Sequence, residues 1–227
     1  MRTFFDKNRI ISFFVVFLGI FFVLGFTFSM EVSSVEAATC TYADTGDHDF
    51  NNAANWDCGH VPTSISSDVV IINGGSTATM TADAQFTKIA DLSGTLNLDS
   101  FGLTVDGTTL VNAGGALNIQ TGTATSTGTL TVDTGGSLTM TTGNLVILNQ
   151  LAVSAADFSA GTGTVYIRGD RGGALINMPS IVYNDLIIQL DSGAVDSFTW
   201  ASTSTVLGDL TVHEGSNFTN LGWIANL

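Results

Sequence analysis

The chain has 227 residues, 20 acidic and 6 basic, and a formal net charge of −14. That balance argues against nucleic acid and anionic membrane as partners, since both repel an acidic chain. Only 11% of residues are charged and 25 are glycine, so the surface is built mainly from Thr, Ser, Asn and Gly.

Residues Met1 to about Ala37 read as a secretory signal. Arg2, Lys7 and Arg9 form a basic start, and Ile10 to Phe28 is nearly all apolar. Val35-Glu36-Ala37 then fits a small-x-small cleavage site, which makes Ala38 the expected first mature residue. The apolar run is long enough to span a bilayer, so a retained anchor is the alternative. A lipoprotein at Cys40 is a third option, and Ala37-Ala38-Thr39 matches a lipobox poorly. The mature chain of about 190 residues is enough for one domain with a sizeable core. Its basic residues are Lys88, Arg168 and Arg171.

Cys40 and Cys58 lie near the mature N-terminus, and in an exported chain one disulfide between them is expected. In the chain-entropy model such a bridge is worth about 3 kcal/mol. Zinc held by the two cysteines with His48 or His60 is the alternative, although the spacing fits no common motif. Asp44, Asp47 and Asp49 with Gly46 are a calcium candidate, because calcium takes several oxygen ligands. Their spacing is not that of an EF-hand loop, and a solvated acidic loop is the plainer reading.

From Gly94 to Val153 the sequence repeats. Glycine is followed by alternating apolar and small polar residues, the period of a strand with one buried face. Leu96, Leu117 and Leu138 are 21 residues apart, as are Leu98, Ile119 and Met140. A fixed period of this size predicts a solenoid. The same period carries Leu103 and Val105 to Ala124 and Ser126, then to Leu145 and Ile147, with the middle coil weak. A third series runs Leu110, Leu130, Leu151, with Val132 and Val153 behind. Three short strands per coil form a prism whose inward residues stack on their equivalents about 4.8 Å away. Glycines turn the corners, where positive φ or a sharp bend is cheap without a Cβ. The competing fold is a sandwich of hairpins, but hairpin signals are scarce apart from Asp106-Gly107 and Asn73-Gly74.

Asn55-Trp56, Gly59, Val61-Pro62 and Asp68-Val69-Val70-Ile71 form a pattern that resembles the opening of bacterial secreted or cell-surface, adhesin-like parallel β-helix repeat proteins. The second half fits the same family. Gly163 to Ile167, Tyr183 to Ile188 and Gly208 to Val212 resemble its later motifs. The resemblance implies that Trp56 and Pro62 fold over the first coil and that the Asp68–Ile71 run is the first strand. It carries no active site. Cys58 inside the motif is a departure that pairing with Cys40 explains.

Little in the sequence points to catalysis. His48, His60 and His213 sit in no nucleophile motif. Polysaccharide lyases and hydrolases on β-helices need clustered carboxylates, often with Lys or Arg. Asp99, Asp106 and Asp133 fall instead on different strands or near turns, and Lys88 lies well before them. Arg168-Gly169-Asp170 spells an integrin tripeptide, but a strand end followed by a turn explains it as well. Thr ladders of the ice-binding kind break in every series: positions 97, 118 and 139 are Asn, Asn and Thr, and positions 109, 129 and 150 are Thr, Thr and Gln.

The expected fold is therefore all-β: a right-handed, single-stranded parallel β-helix over 69–227 behind a cap at 38–68. Either an unrecognised element covers the last coil, near Trp223–Leu227, or the chain continues. The expected function is a non-enzymatic, exported structural or adhesive module at the cell surface or in the extracellular space. A carbohydrate-active enzyme or a glycan-binding module is the alternative. Glycans or other surface proteins are the expected partners, with no cofactor beyond the calcium candidate. Membrane contact is expected only through an uncleaved signal segment.

Overall fold

A computed structural model describes residues 37–169, 175–190, 197–200, 204–213 and 217–218, all within one compact unit, Val35–Leu227. Residues 1–36, which hold most of the expected signal segment, Asp170 of the Arg168-Gly169-Asp170 tripeptide, Arg171, and Trp223–Leu227 lie outside the described residues.

The strands are short because each alternating run ends at a glycine or polar corner, and each pairs in parallel with a strand one coil away. The first sheet stacks Thr39–Thr41, Val69–Ile72, Lys88–Leu92, Thr109–Val111, Thr129–Val132 and Gln150–Ala152. The second stacks Thr77–Thr79, Thr95–Asn97, Ala116–Gln120, Ser137–Met140 and Phe158–Ser159. The third runs from Ala84–Phe86 through Gly102–Val105, Thr123–Ser126, Asn144–Ile147, Thr164–Gly169 and Asp185–Leu190 to Leu210–Val212. Two smaller parallel sheets follow, one of Leu175–Met178, Ser197–Trp200 and Asn217–Phe218, the other of Val182–Tyr183 and Thr205–Val206. The chain visits the three faces in turn and makes a β-solenoid of about six turns, roughly 21 residues each. The described residues contain no α-helix, only a single 3₁₀ turn at Ala53–Asn55.

Stacking gives the core its columns. Leu96 pairs with Leu117 and Leu117 with Leu138, and all three are buried. Leu103, Ala124 and Leu145 form the equivalent column of the third sheet, with Val105, Ser126 and Ile147 beside it. The middle coil is undersized there. Leu103, Ala124, Ser126, Thr109 and Leu130 line an internal cavity of about 10 Å³, room for about one water molecule. Polar residues stack as well: Asn118 Nδ2 donates to Asn97 Oδ1 at 2.8 Å, and Thr139 Oγ1 donates to Asn118 Oδ1 at 2.7 Å.

The first-sheet series differs from the sequence expectation. Leu130 stacks on Thr109, not on Leu110, and Thr109 is 2% exposed while Leu110 is half-buried opposite Thr131. Thr109 therefore belongs to the inward set, not to an outward Thr row. An irregularity in the strand before it explains the slip. Lys88–Leu92 buries Ile89 and Leu92, three residues apart, with Ala90 and Asp91 between them, and its pairing with Thr109–Val111 shifts over that stretch. Inward positions of the next coil are fixed by neighbour and period, so a leucine one residue off is left outside.

The corners also refine the expectation. Gly114 has φ +83, the left-handed conformation that a Cβ disfavours. Gly115 is needed for a different reason: a Cβ there would lie 1.9 Å from the Leu92 carbonyl oxygen of the coil below. Close stacking of coils, rather than φ, requires it.

Candidate functional site: the cap and the outer wall

The cap grows from the residues between the cysteines. Cys40 and Cys58 are bonded, with Cα atoms 5.1 Å apart across 18 residues, and the described residues contain no free cysteine. Cys40 lies on Thr39–Thr41, which pairs with Val69–Ile72. This edge strand corrects the expectation that the Asp68–Ile71 run comes first. An added parallel strand satisfies backbone groups that the open end of a solenoid would leave unpaired.

Trp56 is 3% exposed and packs edge-on against Tyr42 and Phe50, at centroid separations of 5.1 and 4.9 Å. Its indole N–H donates to the Phe50 carbonyl at 2.7 Å. Phe50 stacks on Phe86 of the first coil at 5.9 Å, so aromatic surface closes the end of the prism. Pro62 is buried. The Phe50 N–H donates to the Thr79 carbonyl, and the Thr79 N–H to the His48 carbonyl, which extends the cover over the second sheet.

The acidic loop is organised by Asn55, which has no exposed surface. Its Nδ2 donates to Asp47 Oδ1 at 2.5 Å and to the Asp49 carbonyl at 2.7 Å, while its Oδ1 accepts from the Thr45 N–H at 2.9 Å. Asp47 Oδ2 takes Asn52 Nδ2 at 2.6 Å. Asp49 Oδ1 takes the Asn51 N–H and Thr81 Oγ1, each at 2.8 Å. Asp44 takes the Gly46 N–H at 3.0 Å and His48 Nδ1 at 2.8 Å. The side-chain amides of Asn55 and Asn52 hold the Asp47 carboxyl below its ordinary range. For Asp44, desolvation works upward, but the Gly46 amide and His48 outweigh it and lower the carboxyl. Desolvation first, and the carboxylates of Asp44, Asp47 and Asp49 after it, raise the Tyr42 hydroxyl well above its usual value. The calcium candidates are thus bonded to the chain's own donors, and they do not form a cluster of metal-ligand geometry among the described residues.

One such cluster is present among the described residues. Ligand atoms of Cys40, Cys58 and His60 lie within 4.8 Å of one another. The two sulfurs are joined, and His60 faces oxygens instead, with Nε2 3.0 Å from Asp68 Oδ2 and Nδ1 3.1 Å from the Cys58 carbonyl. His48 belongs to the Asp44 pair and lies outside this cluster. Sequence reasoning gave Asn55 and Asp68 no role of their own. The available signal was an Asn placed directly before the cap Trp, and a lone acid placed directly before a run of β-branched residues.

The outer wall scatters the remaining chemistry. Asp106 accepts from Gln85 Nε2 at 3.0 and 3.1 Å, Asp99 sits in a turn at φ 53, and the Asp133 carbonyl closes a corner with the Gly136 N–H. The structure does not bring these carboxylates together, nor join Lys88 to them. His213 is exposed. Arg168 and Gly169 end the strand Thr164–Gly169.

The third sheet does hold one change of character. Its outward column reads Gln85, Thr104, Thr125, Val146, Tyr166, Ile187 and Thr211. Val146, Tyr166 and Ile187 form an apolar and aromatic stretch between polar residues. Val146 is only 8% exposed although it lies on the outer side. Exposed Arg168 places its guanidinium carbon 5.5 Å from the Tyr166 ring centroid, and Gln189 sits opposite Arg168 in the next coil. No protein-family model, curated protein or solved structure matches this chain.

Proposed function

We propose that this chain is an exported structural or adhesive β-solenoid module, acting at the cell surface or in the extracellular space. The observation that carries the reading is the cap: a disulfide, an edge strand and a buried aromatic cluster close one end of the stack. Disulfides persist in oxidising compartments, and a cap answers the need of an open coil end for cover. The resemblance to bacterial surface β-helix proteins supports the same reading, with a signal segment removed before Ala38. The test is cell fractionation with N-terminal sequencing. The expected product is extracytoplasmic and begins at Ala38; a cytoplasmic, reduced product refutes the proposal.

The third-sheet column favours glycans as the partner class. A ring beside Arg168 and Gln189 offers an apolar plate next to directional donors, a combination suited to sugar rings. A glycan array with the wild-type protein and Tyr166→Ala tests this. Binding that is lost on substitution supports glycan contact, and binding unaffected by it removes this face as the site. Turnover of a polysaccharide in a reducing-sugar assay would instead favour the enzyme alternative.

A further inference from the structure

Asp68 lies where the cap meets the first coil and has no exposed surface. Its Oδ2 accepts from the Thr63 N–H at 2.9 Å and faces His60 Nε2 at 3.0 Å, while its Oδ1 accepts from the Ala38 N–H at 3.2 Å. Ala38 is held on its other side too, because its carbonyl accepts from the Val69 N–H at 2.8 Å. It packs against the core, whereas Ala37 before it is exposed. Among the described residues, Ala38 is the first to make a hydrogen bond. The place where the wall begins coincides with the residue that the small-x-small site marks as the first mature one.

We propose that the free α-ammonium of Ala38 pairs with the buried Asp68 carboxylate, so that removal of the signal segment completes the cap. The inference rests on the export reading above. Hydrolysis of the Ala37–Ala38 peptide bond consumes one water. Oxygen joins the Ala37 carbonyl carbon, which leaves as a carboxylate, and the Ala38 nitrogen leaves as an ammonium at neutral pH. In the uncleaved chain a neutral amide occupies this position and offers Asp68 one hydrogen bond. After cleavage the same atom carries a positive charge beside a carboxylate that is shielded from water. Charge-assisted hydrogen bonds are the stronger kind, and a buried carboxylate gains most from a charged partner. His60 holds the other carboxylate oxygen and the Cys58 carbonyl, so the new terminus is joined to the disulfide through one connected set of contacts.

The experiment uses mature protein with defined N-termini: free Ala38 released from a cleavable fusion, Nα-acetyl-Ala38, and a form beginning at Glu36. Each is made with Asp68 and with Asp68→Asn, and urea unfolding is followed by circular dichroism. The free terminus is expected to give the highest midpoint with Asp68 present, and acetylation is expected to leave the Asp68→Asn protein unmoved. A second readout needs no variant. Acylation of the α-amine by an active ester, followed on the N-terminal peptide by mass spectrometry, is expected to be at least about tenfold slower in native than in urea-unfolded protein. Equal midpoints for free and acetylated protein with Asp68 present, or acylation at the unfolded rate, overturns the pairing. Should Asp68→Asn fail to fold, the acylation rate of the wild-type protein decides. The start of the exported product is read separately by sequencing, so a wrong processing site and a missing ion pair are told apart.

Discussion

Leu117 has Leu96 on one side and Leu138 on the other, each one coil away and each a leucine. Trp56 has Tyr42 and Phe50 around it, and neither contact recurs. In the coils a residue's surroundings follow from what stands 21 positions before and after it, so burial is set by period. In the cap it is set by single partners: Asn55 for the acidic loop, the disulfide for the edge strand, Phe50 for the first coil. Repetition spreads stability over nearest-neighbour interfaces, whereas a cap concentrates it in contacts without substitutes.

The largest effect should come from breaking a column. Leu117→Asp places an unpaired carboxylate between two leucines, which costs several kcal/mol or forces the group to stay protonated. In urea melts this variant should lose most of its cooperative transition. A transition like that of wild type would mean that burial is not set by the column.

Removing the bridge asks how far the cap depends on one contact. Cys40→Ala with Cys58→Ala should lower stability by about 3 kcal/mol in the chain-entropy model. Reduction of the wild-type protein should shift its urea midpoint by a similar amount, and an unmoved midpoint in both would show that the aromatic cluster closes the end unaided.

A smaller change, of opposite sign, is expected in the weak coil. Ala124 stands between Leu103 and Leu145 beside the small cavity. Ala124→Val adds apolar volume and a β-branched side chain, which should stabilise by about 0.5–1 kcal/mol. A lower thermal midpoint would show the site to be overpacked by the addition.

The smallest effect belongs to an outward residue of the same coil, on its first-sheet face. Thr131 is half-buried between the inward residues Leu130 and Val132. Thr131→Asp should change stability by about 0.5 kcal/mol, as surface substitutions do. A loss comparable with that of Leu117→Asp would place Thr131 in the interior and overturn the alternation.

The contrast also explains what could be read in advance. The coil fold, three strands per turn and the Leu96–Leu117–Leu138 column were legible because alternation and period are properties of many residues at once. Leu110 was misplaced because the reading followed leucines at spacings of 20 and 21, while the coil keeps 21 and puts Thr109 inside. Side-chain chemistry alone could not show the irregular strand Lys88–Leu92 that sets this register. The Cys40–Cys58 pair was legible from two cysteines that follow a segment read as an export signal. Asn55 and Asp68 were not, since a buried polar residue is recognised by the donors and acceptors that converge on it, and those come from separate points along the chain.

The parallel stacking has a kinetic consequence. Beyond the edge strand of the cap, each strand pairs with one only about 18 to 24 residues earlier in the chain. The entropy of closing such a loop depends on its own length and not on the length of the chain, so adding a turn to a formed stack costs about the same at each step. Contact separation stays constant as the solenoid lengthens, unlike that of a sandwich, whose outermost strands must find distant partners. The closed end therefore offers a template on which later turns can zip in sequence, in the order in which an exported chain would emerge.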